Sequence, residues 1–306
     1  MAADSPAAAW LRAVLGRAGA TGATGATGAD GADGPQTPDE VARWAWFVRV
    51  VGAGPETAPC APELAEDIMA LYGRVAADEV AVRLGPMAVR AASRARVSSA
   101  PTDLRRPCRA GDVVVADRRQ PYARFFAVEE FDVAWRRFDG AMSASVTRAA
   151  FISGDAVTVL PYDPVRDLVL VVEQFRAGPL ARGDAQCWQI EAIAGRVDPG
   201  ETPVAAARRE AVEEAGLVLR DLVEIARYYP SPGAVSEYLY SYVALVDLPD
   251  GLAGIFGVAE EAEDIRTHLV PFERLIELVG SGEIENAPLI LTALWLQRER
   301  RRLRGI

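Results

Sequence analysis

Residues 195–217 read GRVDPGETPVAAARREAVEEAGL, and the physical chemistry of this stretch limits what fold can hold it. Thr202 suits the cap of a helix and Pro203 its first turn. Gly216 suits a left-handed residue that ends it. A helix over 202–215 lines up Val204, Ala207, Ala211 and Ala215 as one apolar stripe. Glu210, Glu213 and Glu214 share the adjoining arc. Glu210 and Glu214 are like charges four residues apart, which destabilises a bare helix. A solvated Glu-rich face usually offers Lys or Arg at that spacing, and here the partner is another Glu. A bound cation removes the conflict. Mg²⁺ prefers oxygen ligands and shares its shell with substrate phosphates.

The rest of the composition narrows the classes. The chain has 306 residues, half of them hydrophobic, enough for one large domain or two small ones. No apolar run reaches the roughly 18 residues of a membrane span. The N-terminus, with Asp4, Arg12 and Arg17 around a short Ala-rich segment, does not read as a secretory signal. Cys60, Cys108 and Cys187 are odd in number and widely spaced, which favours a reducing, cytoplasmic setting and no zinc site. Every one of the 33 basic residues is Arg, so Arg-rich patches carry little functional weight. A net charge of −10 argues against nonspecific nucleic-acid binding. An anionic substrate must then be drawn in by local Arg residues and metal ions. His268 is the only histidine, which excludes mechanisms needing two; it reads as a strand residue.

Along the chain, residues 19–34 form a Gly-Ala-Thr/Asp repeat, part of a flexible linker at 19–38. Residues 7–17 suit a short helix, and 41–51 suit either strand or helix. Residues 62–95 read as helical, with Leu64, Ile68, Leu71 and Tyr72 on one face and a second helix over 80–92. From Val113 onward, β-branched and aromatic segments alternate with turns. Strands are predicted at 122–131, 156–160, 168–175, 188–193, 222–229, 238–246 and 267–272, with helices at 202–215, 272–280 and 285–303. The simplest architecture is α+β, a mixed sheet sandwiched by helices and preceded by a mostly helical N-terminal region. The domains are set at 1–108 and 109–306.

The pattern Gly195, Glu201, Arg209, Glu210, Glu213, Glu214 and Gly216 resembles the Nudix box of hydrolases that cleave nucleoside diphosphates linked to another moiety. The resemblance runs from about residue 113 to 303. It is nearest to the ADP-ribose pyrophosphatase branch, through YARFF at 122–126, FDGAMS at 138–143, PYDPVRD at 161–167, VEQFR at 172–176, SPGAVSE at 231–237 and EAEDIR at 261–266. Pro232 follows Gly216 by 16 residues, a spacing that the superfamily associates with ADP-ribose; locally it also suits an ordinary turn. The opening string AWLRAVLGR resembles the start of a gamma-glutamylcyclotransferase-like domain, but the glycine-bearing loop of that domain is not visible, and no activity is expected of residues 1–108.

The resemblance implies a Nudix α/β/α sandwich with named roles. Glu210 and Glu214 would be the main metal ligands, joined by the Ala194 carbonyl and Glu263. Glu261 would be the catalytic base, with Glu213 or Glu263 the next candidates, and Arg209 would orient the box carboxylates. Phe125, Arg148, Arg176 and Glu237 would bind substrate, Phe125 by stacking on adenine. Two or more Mg²⁺ ions, replaceable by Mn²⁺, are implied, as is a homodimer without nucleic-acid or membrane partners. The implied reaction converts ADP-ribose and water to AMP and ribose 5-phosphate. Other diphosphate sugars (GDP-mannose, ADP-glucose) and a non-catalytic sensing role are the alternatives. On residue chemistry alone, the acidic loop 259–266 could be merely solvated, Phe125 core, and Arg148 and Arg176 surface.

Overall fold

The computed structural model describes residues 38–52, 62–98, 100–258 and 263–305. The helix expected at 7–17, the repeat at 19–34 and Glu261 lie outside the described residues. The chain forms two compact units, one ending at Gly154 and the other spanning Asp155–Ile306.

The first unit begins with helices α1 (Pro38–Val51), α2 (Pro62–Met69), α3 (Ala77–Ala81) and α4 (Leu84–Ala95). Residues 41–51 are thus helix, and 62–95 are three helices rather than two. Gly73, at φ 72°, serves one of the bends between them. Phe47, Val50, Leu64, Ile68, Val80 and Met87 form their core, and Leu71 and Tyr72 pack on it half-buried. Three antiparallel strands follow in the order β1 (Val113–Ala123), β2 (Ala127–Trp135) and β3 (Val146–Ile152). The single strand expected at 122–131 is instead a hairpin. Ala123 pairs with Ala127, and the Arg124 N–H donates to the Phe126 carbonyl at 2.8 Å across the turn. That turn has no Gly, Pro, Asn or Asp, so it carries no sequence signal. These strands cluster with the helices upstream of them, and the two compact units meet in the chain at 154/155. Buried ion pairs explain the grouping: Arg118 of β1 reaches both Asp67 of α2 (3.1 Å) and Glu129 of β2 (2.6 Å).

The second unit is an eight-stranded mixed sheet between helices. Its strands are β4 (Asp155–Asp163), β5 (Leu168–Phe175), β6 (Trp188–Glu191), β7 (Ile193–Arg196), β8 (Asp221–Tyr228), β9 (Tyr238–Leu245), β10 (Ile255–Phe256) and β11 (Ile265–Pro271). The path is β10-β11-β5-β4-β9-β8, with β6 on β5 and β7 on β4. Only β4 and β9 run parallel. β4 is buried from end to end, which is why it reads as a near-continuous apolar run. Its pleat sends Val157 and Val159 into one core and Leu160 and Tyr162 into the other. The first core is covered by α6 (Pro203–Ala215), the second by α7 (Phe272–Ser281) and α8 (Ala287–Arg304). A short helix α5 (Ala177–Arg182) follows β5. The predicted strand at 188–193 divides at Ala192, because β6 pairs with β5 while β7 pairs with β4. The α/β/α sandwich with a mixed sheet is therefore the fold of this unit.

Candidate active site

α6 is built as its sequence dictates. Thr202 accepts a hydrogen bond from Ala205 N (3.2 Å), Pro203 fills the first turn, and Gly216 ends the helix at φ 61°. The buried side differs from the expected stripe in one residue. Ala206, Ala207, Ala211 and Ala215 are fully buried, while Val204 is 37% exposed. Small side chains let the helix lie close to the sheet, and the near side then takes in Glu210 (8% exposed) and Glu214 (2%). Both carboxylates therefore belong to the buried face rather than to an arc beside it.

Two features of β7 receive them. The Ala194 N–H donates to Glu214 Oε2 at 3.2 Å. A Cβ on Gly195 would stand 1.8 Å from Glu210 Oε1, so only glycine leaves room for that carboxylate. Burial pushes Glu210 up to about 7, against the pull of Arg209. Burial pushes Glu214 up to about 9, the Ala194 hydrogen bond opposing this and the charges of Glu210 and Glu263 adding to it. Two carboxylates held this way are poised for a cation.

Arg209 gathers the rest of the box. It donates to Glu210 (2.7 Å) and Glu213 (2.9 Å), to Glu201 (3.1 and 3.2 Å), and to the Arg196 carbonyl (2.9 Å). Burial disfavours its charge, but these carboxylates outweigh that and raise its pKa. Glu201 also accepts from Asp198 N (3.2 Å), tying the loop before α6 to the helix. Across the site, Glu263 Oε2 accepts from Val258 N (3.1 Å). Among the described residues no three metal-binding side chains converge. Glu263 is engaged by its own loop and Glu210 by Arg209. The Glu210–Glu214 pair nevertheless fits a divalent ion, through oxygen donors at helical spacing, both buried.

Arg176 lies at the end of β5. Its guanidinium forms a fork with buried Glu191 of β6 (3.1 and 2.6 Å), and Asn286 also donates to Glu191 (3.2 Å). Burial disfavours the charge on Arg176; Glu191, with Glu214 and Glu263 behind it, outweighs this and raises its pKa. Sequence reading missed Glu191 as this partner, although a Glu between Ile190 and Ala192 in an apolar strand was a usable signal. Glu237 directly precedes β9, half-buried, where its charge raises the pKa of Tyr228 after burial does. Phe125 and Arg148 belong to the first unit. Phe125 is exposed on the β1–β2 turn and packs edge-on against Phe126. Arg148 lies over the Trp135 ring at 5.7 Å. His268 is indeed a strand residue, its Nε2 2.9 Å from Glu173 Oε2. A cleft of about 390 Å³ lined by Glu173, Gln186, Trp188, Ile255, Asp264 and Arg266 was not foreseen.

A sheet of this topology with a glutamate-bearing helix on one face defines a class, and the comparisons agree with it. The NUDIX domain model matches residues 153–291. An ADP-ribose pyrophosphatase of Escherichia coli (strain K12) is 37% identical over 194 residues, 63% of this chain and 92% of that one. One from Haemophilus influenzae is 35% identical over 61% of this chain and 86% of that one. A GDP-mannose pyrophosphatase of Salmonella paratyphi B is 33% identical over 49% and 77% respectively. The chain belongs to the Nudix hydrolases, on their ADP-ribose pyrophosphatase branch.

Proposed function

We propose that this chain is an Mg²⁺-dependent hydrolase of the pyrophosphate bond of ADP-ribose, giving AMP and ribose 5-phosphate. The observation that carries this reading is the Glu210–Glu214 pair, buried against β7 with Gly195 cut away beneath Glu210. Relatives at 37% and 35% identity, matched over 92% and 86% of their length, are ADP-ribose pyrophosphatases, and Pro232 stands 16 residues after Gly216, the spacing that the family resemblance associates with ADP-ribose.

Glu210, Glu214, the Ala194 carbonyl and Glu263 would hold two or more ions, Mg²⁺ or Mn²⁺. When bound, the metal withdraws charge from the phosphates and eases ionisation of water. The attacking water forms a bond to one phosphorus and the bond to the bridging oxygen breaks. Glu261 takes the proton of that water. Arg209 holds Glu201, Glu210 and Glu213 in register, and Arg176 keeps a fixed positive charge beside the acidic site for the substrate's phosphates or ribose. Glu237 is assigned to the substrate loop.

We further propose that the hydrolase domain is 109–306, since the 194-residue match is longer than the whole second unit. Residues 1–108 are then an appendage to it. The enzyme is proposed to act in the cytoplasm as a homodimer, with the partner subunit's Phe125 and Arg148 reaching the substrate. The described residues contain no helix long and apolar enough to cross a membrane. GDP-mannose is the second reading, favoured by the Salmonella relative.

The test is a panel of ADP-ribose, ADP-glucose, GDP-mannose and ATP with Mg²⁺, with products identified. ADP-ribose should turn over fastest, yielding AMP, and EDTA should abolish turnover. A preference for nucleoside triphosphates would overturn the assignment.

A further inference from the structure

The β1–β2 turn carries Phe125 on a tip without glycine, proline, asparagine or aspartate, closed by the Arg124 N–H to Phe126 carbonyl bond, and Phe125 is 58% exposed there. A side chain from the helical region adds to that closure. The turn carbonyls of Arg124 and Phe125 both accept from one guanidinium nitrogen, Arg90 Nη1 of α4, at 3.4 Å each. Arg90 is 3% exposed, and its other terminal nitrogen is buried with no hydrogen-bond partner. Burial drives its pKa down, opposed by the charges of Asp67 and Glu129. Placing a guanidinium in such a position is costly, and a purely apolar contact would hold a helix against a hairpin at less expense.

Further contacts tie α4 to α2 and both helices to the strands. Arg94 of α4 pairs with Asp67 of α2 (3.0 Å) and donates to the Glu63 carbonyl (2.7 Å). Asp67 pairs in turn with Arg118 of β1, which forks onto Glu129 of β2 (2.9 and 2.6 Å). Val89 of α4 comes within 3.0 Å of where a Cβ on Gly154 would lie, so a bare glycine just after β3 admits the helix. The hairpin is therefore gripped along its strands by Asp67 and at its tip by Arg90.

We propose that the α2–α4 region is an internal brace for the β1–β2 turn, and that Arg90 is the positioning residue that sets where Phe125 stands. The consequence for catalysis rests on the assignment of Phe125 to the adenine base. Residues upstream of the hydrolase domain then govern affinity for the base-bearing substrate while leaving the hydrolytic step alone. The family model matches residues 153–291, downstream of these helices.

The experiment uses the full chain with Mg²⁺ and ADP-ribose, and the variants Arg90→Gln, Arg90→Lys, Phe125→Ala and the Arg90→Gln/Phe125→Ala pair. Stacking of a base on an aromatic is worth about 5-fold or more in affinity. Phe125→Ala and Arg90→Gln should each raise KM by about that factor with kcat within about 2-fold, and the pair should be no worse than Phe125→Ala alone. Arg90→Lys keeps the charge and loses the planar guanidinium; it should raise KM less, and it carries the test if Arg90→Gln does not fold. Val50→Ala, in the core of α1 and outside the brace, should lower the melting temperature without the KM effect, separating positioning from stability. Hydrogen exchange at the 124–126 amides is read in parallel and should quicken in the Arg90 variants. If Phe125→Ala raises KM while a folded Arg90 variant does not, the brace is wrong. If Phe125→Ala changes nothing, or the wild type does not turn over ADP-ribose, the substrate reading fails instead. Hydrogen exchange then decides the brace alone: quickened exchange upholds it and unchanged exchange overturns it.

Discussion

Glu214 and Glu261 divide two tasks that a carboxylate can perform. Glu214 is 2% exposed, with one backbone donor and with Glu210 and Glu263 as like-charged neighbours, a setting that favours a bound cation. Glu214→Gln should lower kcat and weaken Mg²⁺ dependence together. Glu261→Gln removes only a proton acceptor, so kcat should fall by about 10²- to 10⁴-fold with Mg²⁺ affinity nearly unchanged, and higher pH should partly restore the rate. Near-wild-type kcat in Glu261→Gln would move the base to Glu213 or Glu263. The raised values of Glu210 and Glu214 have a second consequence. Without metal, the folded chain binds more protons than the unfolded chain from the ordinary glutamate value of 4.5 up through about 7 and about 9. Their contribution to stability is full below that window and is lost as pH rises through it. Binding of Mg²⁺ needs both groups ionised and so releases protons. Thermal melts should show the metal-free protein losing stability between about pH 5 and about pH 9, with Mg²⁺ stabilising more at the alkaline end. A Mg²⁺ effect independent of pH, or larger in acid, would mean that these carboxylates are not the ligands.

At the scale of elements, α6 joins the box to the sheet through alanines. Ala206, Ala207, Ala211 and Ala215 leave no space against the core of Val157, Val159, Leu170 and Ile193. Larger side chains would lift the helix and carry both glutamates off β7. Ala211→Leu should destabilise the fold by about 1–3 kcal/mol in urea unfolding, the usual cost of overpacking. It should also reduce activity by more than the fraction unfolded accounts for, because Glu210 and Glu214 stand on either side of position 211. An Ala211→Leu protein with unchanged stability would show that the helix has slack the burial does not suggest.

For the whole molecule, the assembly is the main expectation. Val113, Val114 and Val115 open β1 with their side chains exposed, and Trp135 is exposed at the end of β2. A row of exposed valines on a strand is suited to a partner surface. Light scattering should find a dimer, and an active monomer at low concentration would contradict the proposed sharing of the site. A chain starting at Asp103 keeps β1–β3 and the entire second unit. It should stay dimeric with kcat preserved, and should show the raised KM expected of a missing brace.

The box was legible because its requirements are local. A cap at Thr202, a left-handed Gly216 and carboxylates at i and i+4 are properties of spacing, and the structure has all of them. The sandwich was legible too, because a period-two pleat and helical stripes declare which segments must be buried together. The bend at Phe125 was not, since nothing in Arg124-Phe125-Phe126 favours a turn; pairing of Ala123 with Ala127 creates it. The break at Ala192 was hidden for the same reason, because strand partners are chosen by distant segments. Nor could sequence show that Glu191 occupies Arg176, or that Arg90 reaches the turn carbonyls 34 and 35 residues away. Sequence alone determined the helix that holds the carboxylates and the chemistry they suit. Tertiary structure alone decided how deeply they are buried, what neutralises their neighbours and which helices grip the hairpin, because desolvation and ion pairing depend on groups that only folding brings together.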